Sequence, residues 1–206
     1  MRTNRAVLRT LALSTGVGVI VVVTACGGGT PAGSGHDGAS HTPSSAASTS
    51  ARAGFNEADV MFAQMMIPHH AQAVEMSELA ETRAADPEIK ELARSIKAAQ
   101  DREIAMMRGW LQAWGASEAS MGEGHGGHGM PGMMTEEDMA ELEASQGGVF
   151  DRRFAEMMIE HHEGALEMAR TELSRGANAD AKELAERIIA TQQAEIDQMK
   201  AILRRL

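Results

Sequence analysis

Apolar positions in this chain recur with the period of a helix, and no stretch sustains the alternation of a strand. From Asn56 onward Phe62, Met65, Met66, His69, Ala73, Met76 and Ala80 share one face at 100° per residue, and Val60, Ala63, Ile67 and Val74 widen it. An arc this wide predicts a helix in contact with two neighbours. Asn56 suits an N-cap, and Glu57 and Asp59 fall in the first turn, where carboxylates meet the positive end of the helix dipole. Pro68 sits inside the pattern and predicts a kink, because it leaves the Gln64 carbonyl without its intrahelical donor. Asp86-Pro87 ends this segment and starts a second helix, with Ile89, Leu92, Ala93, Ile96, Met107, Trp110 and Trp114 as its stripe and Gly115 as its stop.

The same text is then written again. Residues 59–107 align with 151–199 without a gap, with 23 identities in 49 positions. The repeated core is Met-Met-Ile-x-His-His, at Met65 to His70 and at Met157 to His162. The unit is a helical hairpin, and its second copy turns at Gly176-Ala177-Asn178. Asp59 recurs as Asp151, which a capping role explains. Pro68 has Glu160 as its counterpart, so the two copies should differ there. Between the copies, Met121 to Met134 is dominated by glycine and predicts no regular structure. Thr135 to Asp138 reads as a capping box for a short helix to about Ala144, and Gly147-Gly148 separates it from the second hairpin.

Two hairpins bury their stripes most simply as an all-α four-helix bundle with a short extra helix in the connection. The bundle domain is residues 55–206: a first hairpin at 55–115, a Met/His/Gly-rich linker with the short helix at 116–146, and a second hairpin at 147–206. Tyrosine is absent and there are 4 phenylalanines against 16 methionines, so the core is soft and adaptable.

The first 54 residues do not join this pattern. Arg2, Arg5 and Arg9 precede an apolar run from Leu11 to Val23, which reads as a secretory signal over residues 1–25. The run is short for a spanning helix, which needs about 20 apolar residues. It ends in Val23-Thr24-Ala25-Cys26, which resembles the processing site of a bacterial lipoprotein precursor. The resemblance implies cleavage before Cys26, the only cysteine, and a lipid attached to it. Residues 26–54 are rich in Gly, Ser, Thr and Ala and read as a disordered tether. The expectation is an exported protein held at the outer face of the cell membrane.

Removing residues 1–25 takes away three arginines and no acid, which lowers the formal net charge from −10 to −13. An acidic chain with no basic stripe argues against nucleic acid, whose binding rests on neutralising phosphates. It is compatible with attracting cations, and equally with simple solubility.

The chemistry concentrates on the repeated pairs, His69-His70 and His161-His162. Met65 precedes His69 by one helical turn and Met76 follows it by two; Met157 and Met168 stand likewise around His161, with Met66 and Met158 adjacent. Imidazole nitrogen with thioether sulfur is a donor set that suits copper, and thioether favours the cuprous ion. Antiparallel pairing about residues 85–86 brings Gln100 and Glu103 level with His69, and Gln192 and Glu195 level with His161. Glu103 and Glu195 are then either supports for the imidazoles or direct ligands. The bland alternative is a polar layer in which His, Gln and Glu satisfy one another and fix the register. His125 and His128, with the loop methionines, offer further soft ligands on a flexible segment, or are merely solvated.

With these residues in view the chain resembles the domain-of-unknown-function 305 family. The matching text runs from Phe55-Asn56 through Met76, includes Gln100, Glu103-Ile104, Trp110-Leu111, Trp114-Gly115 and Pro131 to Met134, and continues from Phe150-Asp151 through Ala165. The resemblance implies a ferritin-like helical bundle in secreted or envelope proteins, some of which bind copper. It implies a metal role for the His-His and Met positions of both copies. The leading expectation is a copper-binding lipoprotein that sequesters or hands on copper, with no enzymatic activity and with a copper donor or acceptor protein as partner. Two alternatives stand beside it. One is an interaction or structural module with a metal-free polar layer. The other is a ferritin-like oxidoreductase. That last class uses Glu-x-x-His, and the residues three before the histidines are Met66, Ile67, Met158 and Ile159 instead.

Overall fold

A computed structural model describes residues 54–118 and 130–206 of the chain. The signal segment, Cys26, the tether, His125 and His128 lie outside the described residues. The described part is helical throughout: α1 (Glu57–Arg83), α2 (Pro87–Trp114), α3 (Glu136–Ala144), α4 (Gly147–Arg175) and α5 (Ala179–Leu203). The four long helices form a bundle of two antiparallel hairpins, α1–α2 and α4–α5, with α1 packed on α4.

The ends of the helices follow local chemistry. Asn56 caps α1 and Asp59 closes the capping box; Asp86 caps α2 with Pro87 at the first helical position; Thr135 and Asp138 form the box that opens α3. Gly115 ends α2 in the left-handed region at φ 69°, where glycine carries no Cβ penalty. Helix α1 runs through Pro68 without interruption. Gly147 and Gly148, expected to separate α3 from the second hairpin, are taken into the first turn of α4.

Asp59 and Asp151 do more than cap their own copies. The buried Asp151 carboxylate accepts from the backbone N–H of Ala85 and of Asp86, both at 3.0 Å. The buried Asp59 carboxylate accepts from Ala177 at 3.0 Å and from Asn178 at 2.9 Å. These donors occupy equivalent places in the repeat. Each copy therefore ties down the interhelical turn of the other, at opposite ends of the bundle. The same ends are closed by Arg205, which donates to Asp86 at 3.0 Å, and by Phe55, whose ring stacks on Trp114 with centroids 4.9 Å apart.

The apolar core is split into two slabs. One holds Met76, Ile89, Ile96, Phe150, Phe154, Met158 and Met199; the other holds Phe62, Met66, Met107, Leu111, Met168 and Ile188. The four histidines, with Gln100, Gln192, Glu103 and Glu195, lie in sequence between the two sets on every long helix. The polar layer thus crosses the middle of the bundle.

Glu172 breaks the symmetry of the two ends. It is buried beside Asp59, where the equivalent residue of the first copy is Ala80. Burial, and then the neighbouring Asp59, push its carboxyl up to about 8 from an ordinary 4.5, so it is protonated at neutral pH and donates to the Asp59 carboxylate. Gly176 makes the room: a Cβ there would stand 2.0 Å from a Glu172 oxygen. An acid with a raised folded-state pKa stabilises the fold at low pH, and the contribution is lost as pH rises through about 8. Between pH 6.5 and 8.5 the denaturant midpoint of the chain should therefore fall. Glu172→Gln, which keeps a neutral donor, should show a flat profile over that range, and an unchanged slope in the variant would refute the assignment.

Candidate metal centre

All four paired histidines are fully buried. His69 from α1 and His161 from α4 meet at the centre of the bundle, ring centroids 3.7 Å apart and planes tilted by 36°. His70 and His162 flank them at 6.5 Å and 6.4 Å from their chain neighbours. At 100° per residue His70 and His162 fall on the flank of the apolar arc. They are buried as deeply as His69 and His161, because α1 and α4 each contact a hairpin partner on one side and the other copy on the next.

Three imidazoles are held by oxygen acceptors through Nε2. His70 donates to Glu103 Oε2 at 2.7 Å, His162 donates to Glu195 Oε2 at 2.8 Å, and His69 donates to the Pro131 carbonyl at 3.1 Å. A carbonyl or carboxylate can only accept, so Nε2 carries the proton in each, and in the neutral ring Nδ1 keeps the lone pair. In all three that Nδ1 is buried and without a hydrogen-bond partner, and in His161 neither nitrogen has one. Burial, and then the charge that His70 would carry, hold His69 down to about 3; burial, and then His69, hold His161 well below the ordinary imidazole range. The central pair is neutral at any physiological pH, the form in which imidazole ligates a metal.

Thioethers lie on both sides of this layer. Met66 and Met168 belong to one slab, Met158 and Met76 to the other, and all four are buried. Met65 and Met157 are only half-buried and pack against the outside of the slabs. Of each Met-Met pair the member drawn into the interior is the second, Met66 or Met158, four residues before His70 or His162. Among the described residues no three His, Cys, Asp or Glu side chains converge as a ready ligand set. The donors at hand are lone-pair nitrogens with sulfur nearby.

Sequence reasoning missed the strap over this layer. Residues 131–134 cross the α1–α4 face, and Gln72 grips Met134 through both halves of its amide, at 2.9 Å and 2.8 Å. Gly132 has φ 75°, and a Cβ on it would meet the Glu160 carbonyl at 2.6 Å. Gly164 lets the strap approach α4: its Cβ would stand 2.0 Å from the Pro131 oxygen. A glycine within a helix, where the other copy has Gln72, was the available signal.

The model of the DUF305 family, a domain of unknown function, matches residues 59–203. The chain belongs to the DUF305 family. Solved structures similar to it include a DUF305 protein from Streptomyces coelicolor, at 35% identity over 72% of this chain and 93% of that one with a TM-score of 0.67. A DUF305 fragment from Deinococcus radiodurans is 29% identical over 73% and 98%, with a TM-score of 0.65. CopM in its Cu(II)-bound form is 38% identical over 71% and 96%, with a TM-score of 0.63, and CopM is also known with Cu(I) and with silver bound. No curated protein sequence matches the chain.

The strap yields a test with an unusual sign. Gly→Ala inside an ordinary helix stabilises by about 1 kcal/mol. Gly164→Ala must instead push off the Pro131 carbonyl and should destabilise by about 1–3 kcal/mol in chemical denaturation. A stabilised variant would show that the strap does not seat there.

Proposed function

We propose that this DUF305 protein is an extracytoplasmic copper-binding protein, without enzymatic activity, that sequesters copper or hands it on through the buried His/Met layer. The observation that carries the reading is the state of the imidazoles. Each of three donates Nε2–H to an oxygen and turns an unpartnered Nδ1 lone pair into a dry interior, as a metal-ligating histidine does. A buried nitrogen left without a partner costs on the order of 1–3 kcal/mol. Copper offsets that cost, and thioether sulfurs within the adjoining slabs suit its cuprous form. The metal-bound forms of CopM, a relative on the same fold, support the choice of metal.

In this reading His69 and His161 are the inward ligands, Met66, Met76, Met158 and Met168 are the thioether donors, and Glu103 and Glu195 orient His70 and His162. Met65 and Met157 are further thioethers at the edge. His125 and His128 act at most as a capture station ahead of the layer. The signal segment and Cys26 would place the protein at the outer face of the cell membrane, tethered by lipid; among the described residues no helix is long and apolar enough to cross a membrane. A copper-donating or copper-accepting protein is the expected partner.

The His70–Glu103 and His162–Glu195 pairs also favour a second reading, a purely structural polar layer. The two readings diverge in a titration. A ligand that binds only the folded state, at 100 times its dissociation constant, adds about 2.7 kcal/mol of stability. Cu(I), supplied under a reductant, should raise the melting temperature of the full chain. His69→Ala with His161→Ala should weaken binding at least tenfold, more than His125→Ala with His128→Ala does. A melting temperature indifferent to copper would leave the structural reading standing.

A further inference from the structure

The side of the polar layer away from the strap has a different chemistry. Helices α2 and α5 stand apart there, and the gap between them is a cleft of about 440 Å³. Glu103 and Glu195 line it, and they also line a small inner cavity with Gln100 and Gln192. That inner cavity leaves about 10 Å³ for the centre of a water-sized occupant, which is room for one. The cleft therefore leads from solvent to a single-occupant hollow.

Every metal-ligating atom that the lining side chains offer is oxygen: the Glu103 and Glu195 carboxylates, the Gln100 and Gln192 amide oxygens and the Thr191 hydroxyl. Each glutamate spends Oε2 on a histidine N–H, and among the described residues neither Oε1 is engaged. Gln100 is 2% exposed and lines the hollow with both amide atoms unpartnered; Gln192 is 3% exposed and its Oε1 is unpartnered. The four residues are two equivalent pairs of the repeat, so the hollow has the near two-fold symmetry of the fold. A water molecule would satisfy the amides but would leave the free oxygens of two carboxylates at the wall of the hollow without a counter-charge. A cation answers both needs. The imidazoles reach the carboxylates as N–H donors, so they offer no lone pair on this side, and the thioether slabs lie above and below. An oxygen-only set suits a hard divalent cation and not a soft one. Arg102 and Arg187 stand at the mouth of the cleft, and Arg187 is held by Glu183 at 2.6 Å.

We infer that the floor of the α2–α5 cleft is a second metal site, selective for a hard divalent cation such as Mn²⁺ or Ca²⁺, with Glu103, Glu195, Gln100 and Gln192 as its oxygen ligands. It shares Glu103 and Glu195 with the soft-metal centre proposed above, but takes none of that centre's nitrogen or sulfur ligands and stands whether or not copper binds there. Electron paramagnetic resonance of Mn²⁺ titrated into the full chain tests it. The signal of free Mn²⁺ should disappear up to one equivalent and return when Ca²⁺ is added in excess. His69→Ala with His161→Ala should leave this uptake in place. Glu103→Gln with Glu195→Gln should weaken it at least tenfold. Should that pair fail to fold by circular dichroism, Gln100→Leu with Gln192→Leu should weaken it by a similar factor. An undiminished free Mn²⁺ signal with the wild-type chain would overturn the inference. So would uptake that follows the histidines rather than the glutamates, or a Mn²⁺-soaked crystal in which the hollow holds water only.

Discussion

The bundle is built around the cost of burying four imidazoles in one plane. A neutral imidazole keeps one donor and one acceptor, and a dry interior offers partners for few of them. The fold answers three of the eight ring nitrogens with protein oxygens: Glu103, Glu195 and the Pro131 carbonyl take one N–H each. The other five, the Nδ1 atoms and the whole of His161, it leaves unanswered. Such a layer persists only if the rest of the structure over-determines it. The two apolar slabs supply that, one above and one below, with buried Phe, Ile, Leu and Met on all four long helices.

Duplication makes the arrangement possible at low informational cost. A hairpin alone would expose its His pair along an open face. Two copies set face to face bring His69 against His161 and bury both. The reciprocal ties from Asp59 to the α4–α5 turn and from Asp151 to the α1–α2 turn fix how the copies meet. A slip along the α1–α4 contact by one helical turn would break four charge-assisted hydrogen bonds at once. The bundle ends thus set the register that the layer needs at the centre. The departures from symmetry are local and come in compensating sets. Glu172 with Gly176 stands where the first copy has Ala80 with Ala84, and Gly164 stands where it has Gln72, so the strap seats on one side only.

Much of this was legible in the sequence, since the periodicity, the caps and the repeat are all local signals. Asn56, Pro87, Gly115 and Thr135 mark the ends of helices as their chemistry requires. Counting back from the hairpin turn put Glu103 level with the His pair, which two antiparallel helices of equal rise must do. The partner was one residue off: Glu103 meets His70 and not His69, because a level is set by rise alone but a contact also needs the rotation of both helices. The roles of Asp59 and Asp151 across copies, and the strap, depend on how segments far apart in sequence meet. A helical wheel carries no such information. The inward shift from Met65 to Met66, and from Met157 to Met158, has the same origin: contact with a second copy rotates the buried arc towards His70 and His162.

The geometry also joins the two sides of the layer. Each flanking imidazole is a bridge, with Nε2–H on a glutamate oxygen and an Nδ1 lone pair turned inward. An acceptor that binds the Nε2 proton strongly makes Nδ1 a better donor, which is how a carboxylate tunes a metal-bound histidine. Anything that draws charge from Glu103 or Glu195 weakens that push. A hard cation in the cleft would therefore lower the affinity of Nδ1 for a soft ion, and by reciprocity the soft ion would loosen the hard one. The coupling needs no movement of the backbone. It follows from placing one hydrogen bond between two sets of donors, oxygen on one side and nitrogen with sulfur on the other.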